Sequence, residues 1–114
     1  MPTFEILRRE TDIRELKSGE TIFRDGDAGS FMFAVIDGAV DIVLRGTVIE
    51  RVESGGVFGE MALIDGLPRS ATAIAAADCR IAAIDEKRFL RLVEHTPRFA
   101  LSIMQVITQR LRAR

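Results

Sequence analysis

The groups best able to do chemistry lie together in one stretch, Val57-Phe58-Gly59-Glu60-Met61-Ala62-Leu63-Ile64-Asp65-Gly66-Leu67-Pro68-Arg69-Ser70-Ala71-Thr72. A glycine pair (Gly55-Gly56) and Phe58 read as the end of a strand, Gly59 allows close backbone approach, and a short helical turn starts at Glu60. Asp65-Gly66 and Pro68 end that turn, and Arg69 opens the next strand. A helix start presents unpaired N–H groups and the positive end of a dipole, which suits an anion. An arginine beside it can place two N–H donors on two phosphate oxygens. A carboxylate in the same loop accepts from hydroxyl groups, as on a ribose. One cation, one carboxylate and several amides match a sugar carrying a single anionic phosphodiester. A polyphosphate would fit poorly, because Glu60 would repel the added charge.

Taken singly, each of these residues has a plainer reading. Glu60 then compensates a helix dipole, and Arg69 is a surface cation or the salt-bridge partner of Glu60. Ser70 can satisfy its own strand backbone as readily as a ligand. The combination is what points to a bound anion with hydroxyls. His95 is the only histidine; before Thr96-Pro97 at a helix end, it is read as bonding a free carbonyl or water rather than a metal. Asp25, Asp27 and Asp37 are turn formers. The run Arg110-Leu111-Arg112-Ala113-Arg114 complements a helix C-terminus and is too short to argue for direct nucleic-acid binding.

From Ile13 to Ile84 the chain reads as short strands divided by glycine turns. Lys17-Ser18-Gly19-Glu20 leads into Thr21-Ile22-Phe23, and Arg24-Asp25-Gly26-Asp27-Ala28-Gly29 into Phe31-Met32-Phe33-Ala34-Val35-Ile36. Asp37-Gly38 between two β-rich runs predicts a hairpin. Arg45-Gly46 predicts a further turn, and Ser70–Ala75 and Arg80–Ile84 two further strands. The period then changes. Asp85 is an N-cap for Glu86–Glu94, and Thr96-Pro97 places a cap before a proline at the start of a second helix reaching Leu111. Phe99, Ala100, Ile103 and Ile107 fall on one side of that helix, Leu101, Met104 and Leu111 on another. So wide a stripe predicts contact with a ligand or a second subunit as well as the roll. Before residue 13, Phe4, Ile6 and Leu7 fit either a short helix or an extended arm.

The bulk properties set bounds. At 114 residues with net charge −1, the chain reads as one globular domain over 1–114, with no global field to attract nucleic acid. One cysteine, Cys79, excludes an internal disulfide and fits a reducing compartment; in an apolar strand it is expected to be a buried, inert thiol. No apolar stretch has the length to span a bilayer, and the N-terminus has no signal-peptide pattern, so the expected location is cytoplasmic.

The residues also carry a specific family resemblance. Phe58-Gly59-Glu60-Met61-Ala62-Leu63 followed by Arg69-Ser70-Ala71-Thr72 resembles the phosphate-binding cassette of cyclic nucleotide-binding domains. Gly19-Glu20-Thr21-Ile22-Phe23 with Gly26-Asp27, the run Phe31 to Gly38, and Val52, Gly55 and Phe58 at their mutual spacing resemble the same family. The resemblance implies a mainly β fold: an antiparallel, jelly-roll-like β-roll over about 13–85, a short phosphate-binding helix, and two C-terminal helices over about 86–112. It implies that Glu60 binds the ribose 2′-hydroxyl with help from the Gly59 amide, and that Arg69 binds the phosphate with Ser70 and Ala71. Val52, Met61 and Leu63 would line the purine, Phe58 and Ala62 complete the binding set, and the last helix closes over the base through Ile107, Arg110 or Leu111. No cofactor or metal is implied. The ligand would be cAMP, with cGMP as the alternative, because serine at position 70 occurs in bacterial cAMP binders and threonine there favours cGMP in some relatives.

Against the family pattern, the ends read as departures: the helical lead-in is expected to be short or missing, and no effector segment is expected after Arg114. The expectation is therefore a regulatory sensor acting through a protein partner or as a homodimer through the last helix, or the sensor part of a larger regulator or channel. The residues leave two rival functions poorly supported. A metal enzyme of the cupin type needs several histidines and carboxylates at one centre, and one histidine does not supply them. An interaction domain that dispenses with ligand would leave the cassette without a use.

Overall fold

The structure is a computed structural model and describes residues 4–113. Eight strands form two four-stranded antiparallel sheets: β1 (Ile13–Leu16), β8 (Cys79–Asp85), β3 (Phe31–Asp37) and β6 (Val57–Phe58), and β2 (Thr21–Phe23), β7 (Thr72–Ala75), β4 (Ala39–Leu44) and β5 (Thr47–Glu53), each in spatial order. A short helix, α1 (Glu60–Asp65), joins β6 to β7, and α2 (Glu86–His95) and α3 (Arg98–Ala113) follow β8. This is the expected mainly β roll with one short helix and two C-terminal ones.

Strand alternation builds two cores from one sheet. Phe33 and Val35 of β3 point between the sheets, where Val40, Ile42, Val52, Phe58, Ala73 and Ile81 meet them. Met32, Ala34 and Ile36 point the other way, against Leu92 of α2 and Phe99 and Ile103 of α3. The near-continuous apolar run of β3 is thus a strand covered on both faces. A 3₁₀ turn, Glu5–Arg9, settles the ambiguity at the N-terminus: Phe4 and Leu7 enter the second core and Ile6 stays exposed. Glu10, buried, accepts from Arg88 Nε and Nη2 at 2.8 and 2.7 Å, tying this turn to α2.

Two turns differ in character. Arg45-Gly46, with φ of 51° and 80°, closes the two-residue β4–β5 hairpin. Asp37-Gly38, expected to close a hairpin, instead carries the chain from one sheet to the other: β3 pairs with β8 and β6, β4 with β5 and β7. A methyl group at Gly38 would lie 2.4 Å from the Asp78 carbonyl, so the corner is built on glycine. At the helices, the Asp85 carboxylate accepts from the Arg88 amide at 2.8 Å, capping α2 as expected.

Candidate functional site

Arg69 lies in the loop ahead of β7 rather than in the strand, and its backbone is held by the turn opposite. The Gly26 amide donates to the Arg69 carbonyl and the Arg69 amide to the Asp27 carbonyl, both at 2.8 Å. The Asp27 carboxylate shapes that turn by accepting from the Arg24 amide at 2.9 Å. The side chain turns inward and is only 6% exposed. Nη1 donates to the Gly59 carbonyl at 2.8 Å and Nη2 to the Phe31 carbonyl at 2.6 Å, and the guanidinium carbon stands 4.0 Å from the Phe23 ring centroid. Nε is buried without a hydrogen-bond partner. Burial holds the guanidinium below its ordinary pKa, with the nearby charge of Asp27 opposing the shift.

A buried cation whose partners are neutral carbonyls, with one donor unmatched, is suited to an incoming anion. Leaving such a donor without a partner costs about 1–3 kcal/mol, and an anionic oxygen would recover it. The plainer readings of Arg69, surface cation or partner of Glu60, are both overturned: it is buried, and Glu60 pairs elsewhere.

Glu60 opens α1 directly after Gly59, whose φ of 77° puts the chain in the left-handed region. It is 3% exposed, with Oε2 accepting from the Met61 amide at 3.2 Å and Oε1 from Arg110 Nη1 of α3. Arg110 spans further: Nε and Nη2 reach Glu50 Oε1 and Oε2 of β5 at 2.9 and 2.8 Å, and Nη2 also donates to the Val57 carbonyl at 2.6 Å.

These groups border one cavity of about 250 Å³, just under the ~300–1,000 Å³ usual for small-molecule sites. Of the residues anticipated from sequence, Phe58, Gly59, Glu60, Met61, Ala62, Arg69, Ser70 and Ala71 line it. Val52 and Leu63 do not. Val52 is buried between the sheets and Leu63 packs against the core beneath the helices. Among the three candidates on the last helix, Arg110 lines the cavity, Ile107 packs into the helix-side core, and Leu111 is exposed. Phe23, Ile42 and Glu50 were missed; their strands come to the cavity by tertiary pairing, and no local spacing marks them. Among the described residues no group of three His, Cys, Asp or Glu side chains is placed to hold a metal ion, and no helix is long and apolar enough to cross a membrane.

Comparison with known proteins gives a consistent answer. The family model described as "Cyclic nucleotide-binding domain" matches residues 13–96. The chain is 35% identical over 82 residues to a cAMP-dependent protein kinase regulatory subunit of Debaryomyces hansenii, covering 70% of this chain and 18% of that protein. Among solved structures it is similar to the catabolite activator protein of Thermus thermophilus, with a TM-score of 0.83, 29% identity, and coverage of 95% of this chain and 53% of the other. A protein solved in work on a cyclic-GMP-dependent pathway of bacterial phytopathogenesis matches with a TM-score of 0.78 and 31% identity, covering 88% of this chain and 84% of that one. The chain spans between 17% and 25% of the length of the curated relatives it matches.

Proposed function

The chain belongs to the cyclic nucleotide-binding domain family, and we propose that the cavity beside α1 takes a cyclic mononucleotide as the input of a regulatory protein. The observation that carries this reading is the Arg69 side chain, buried beside the cavity with Nε unpaired. The cyclic phosphate would sit against the guanidinium of Arg69 and the backbone at Ser70 and Ala71. The ribose 2′-hydroxyl would donate to Glu60, and the purine would lie toward Met61 and α3. The role is binding rather than catalysis: ligand shifts the population of α3 positions by binding one of them more tightly. Ser70 beside Arg69 supports cAMP as the ligand, with cGMP as the competitor. A cytoplasmic setting suits the lone buried thiol, Cys79.

Isothermal titration of wild type and Arg69→Ala with cAMP and with cGMP tests this reading. Losing a desolvated phosphate partner costs about 2–5 kcal/mol, so binding by the wild type should collapse in a variant shown to be folded by its melting curve. Equal affinity of the two proteins sinks the assignment, and the ratio of the two wild-type affinities ranks the bases.

α3 favours a second, compatible role in assembly. Leu101, Met104 and Leu111 are 49%, 59% and 64% exposed, a stripe suited to a protein partner or a second copy of the chain.

A further inference from the structure

Glu50 stands outside the cassette, on β5, yet its carboxylate borders the cavity. One guanidinium, that of Arg110, there serves two carboxylates: Glu50 through Nε and Nη2, and Glu60 through Nη1. The arginine also anchors α3, because its bonds to Glu50, Glu60 and the Val57 carbonyl hold the final turns of that helix on the roll. Arg110 and Glu60 are nearly enclosed, whereas Glu50 keeps part of its side chain in solvent.

Charge decides what a ligand can do to this arrangement. A ribose hydroxyl arriving at Glu60 brings no positive charge. If Arg110 then left with α3, Glu60 would be a buried carboxylate without a cation, a strongly disfavoured state. Glu50 removes the dilemma. Held through two donor nitrogens on the Glu50 side, Arg110 can yield part of Glu60 to the hydroxyl and still neutralise it.

We propose that Glu50 is a positioning residue that keeps Arg110, and through it the end of α3, closed over an occupied site, so that it sets how long ligand stays rather than which ligand is recognised. The proposal rests on the cyclic-nucleotide reading. It predicts that Glu50→Ala releases nucleotide about tenfold faster with little change in association rate, as expected when a charge-assisted contact formed after encounter is lost. Because Glu50 acts through Arg110, the same substitution in an Arg110→Met background should add nothing.

The experiment is a double-mutant cycle on Glu50→Ala and Arg110→Met. It reads association and dissociation of cAMP by stopped flow, and amide exchange over residues 106–112 in ligand-free protein. Faster release by Glu50→Ala alone, with faster exchange at the end of α3, supports the proposal. An unchanged release rate, an additive effect in the double variant, or unchanged exchange overturns it. Absence of nucleotide binding by the wild type refutes the ligand reading instead. The exchange arm needs no ligand, so it still tests the clamp, including in any variant too weak to titrate.

Discussion

A methyl group on Gly29 would lie 2.5 Å from the Ala62 side chain and 2.8 and 2.9 Å from Nε and Cζ of Arg69. Gly29 therefore fixes the lateral position of the guanidinium, and the unpaired Nε lies on the side it guards. Gly29→Ala should leave a folded protein that binds nucleotide roughly tenfold more weakly, about the effect of losing one charge-assisted hydrogen bond. Titration calorimetry beside a melting curve checks this, and undiminished affinity would show that Arg69 has room to move. At this scale the sequence was informative about chemistry and silent about partners. Arg69 and Glu60 stood out because a cation, a carboxylate and turn glycines shared one segment. That Glu60 meets Arg110 and Arg69 meets the carbonyls of Gly59 and Phe31 depends on contacts between distant parts of the chain, which no spacing encodes.

Among the elements, α3 carries the clearest expectation. Phe99 and Ile103 are buried against β3 and α2, while Leu101, Met104, Thr108 and Leu111 recur at three- and four-residue steps along the open face, the pattern of a helix-pairing seam. Burying one such side chain is worth about 1.5–3 kcal/mol. If the seam pairs two copies, Leu101→Glu with Met104→Glu should convert a dimer to a monomer by light scattering while titration with cAMP is unaltered. A wild type that is already monomeric at high concentration leaves the seam to a different protein. Element boundaries were largely legible, since glycine turns and the switch of period at Asp85 bracket the strands and helices that form. The β3–β4 connection was not. Asp-Gly reports a tight reversal of direction, but sheet membership depends on which edges are free, and β3 is already paired with β8 and β6.

For the whole molecule, β3 packs against the second sheet on one face and against two helices on the other, so ligand energy gained at the cavity is gained by the entire roll. A ligand that binds only the folded state adds about 2.7 kcal/mol at a hundredfold excess over Kd. The melting temperature should therefore rise by about 10 °C with saturating nucleotide, measured by calorimetry, and the rise should vanish in Arg69→Ala. A stabilisation that survives in that variant would mean the ligand binds elsewhere. The family resemblance conveyed this architecture better than periodicity could, because two stacked sheets from short strands leave no signature of which strand neighbours which. Arg69 has a consequence of another order. Through the carbonyls of Gly59 and Phe31 it ties the cassette to β3 whether or not anything is bound. A descendant of this chain that ceased to sense would still be selected to keep that arginine as a rivet of the fold. Its inheritance in a sequence is therefore a record of ancestry rather than of use.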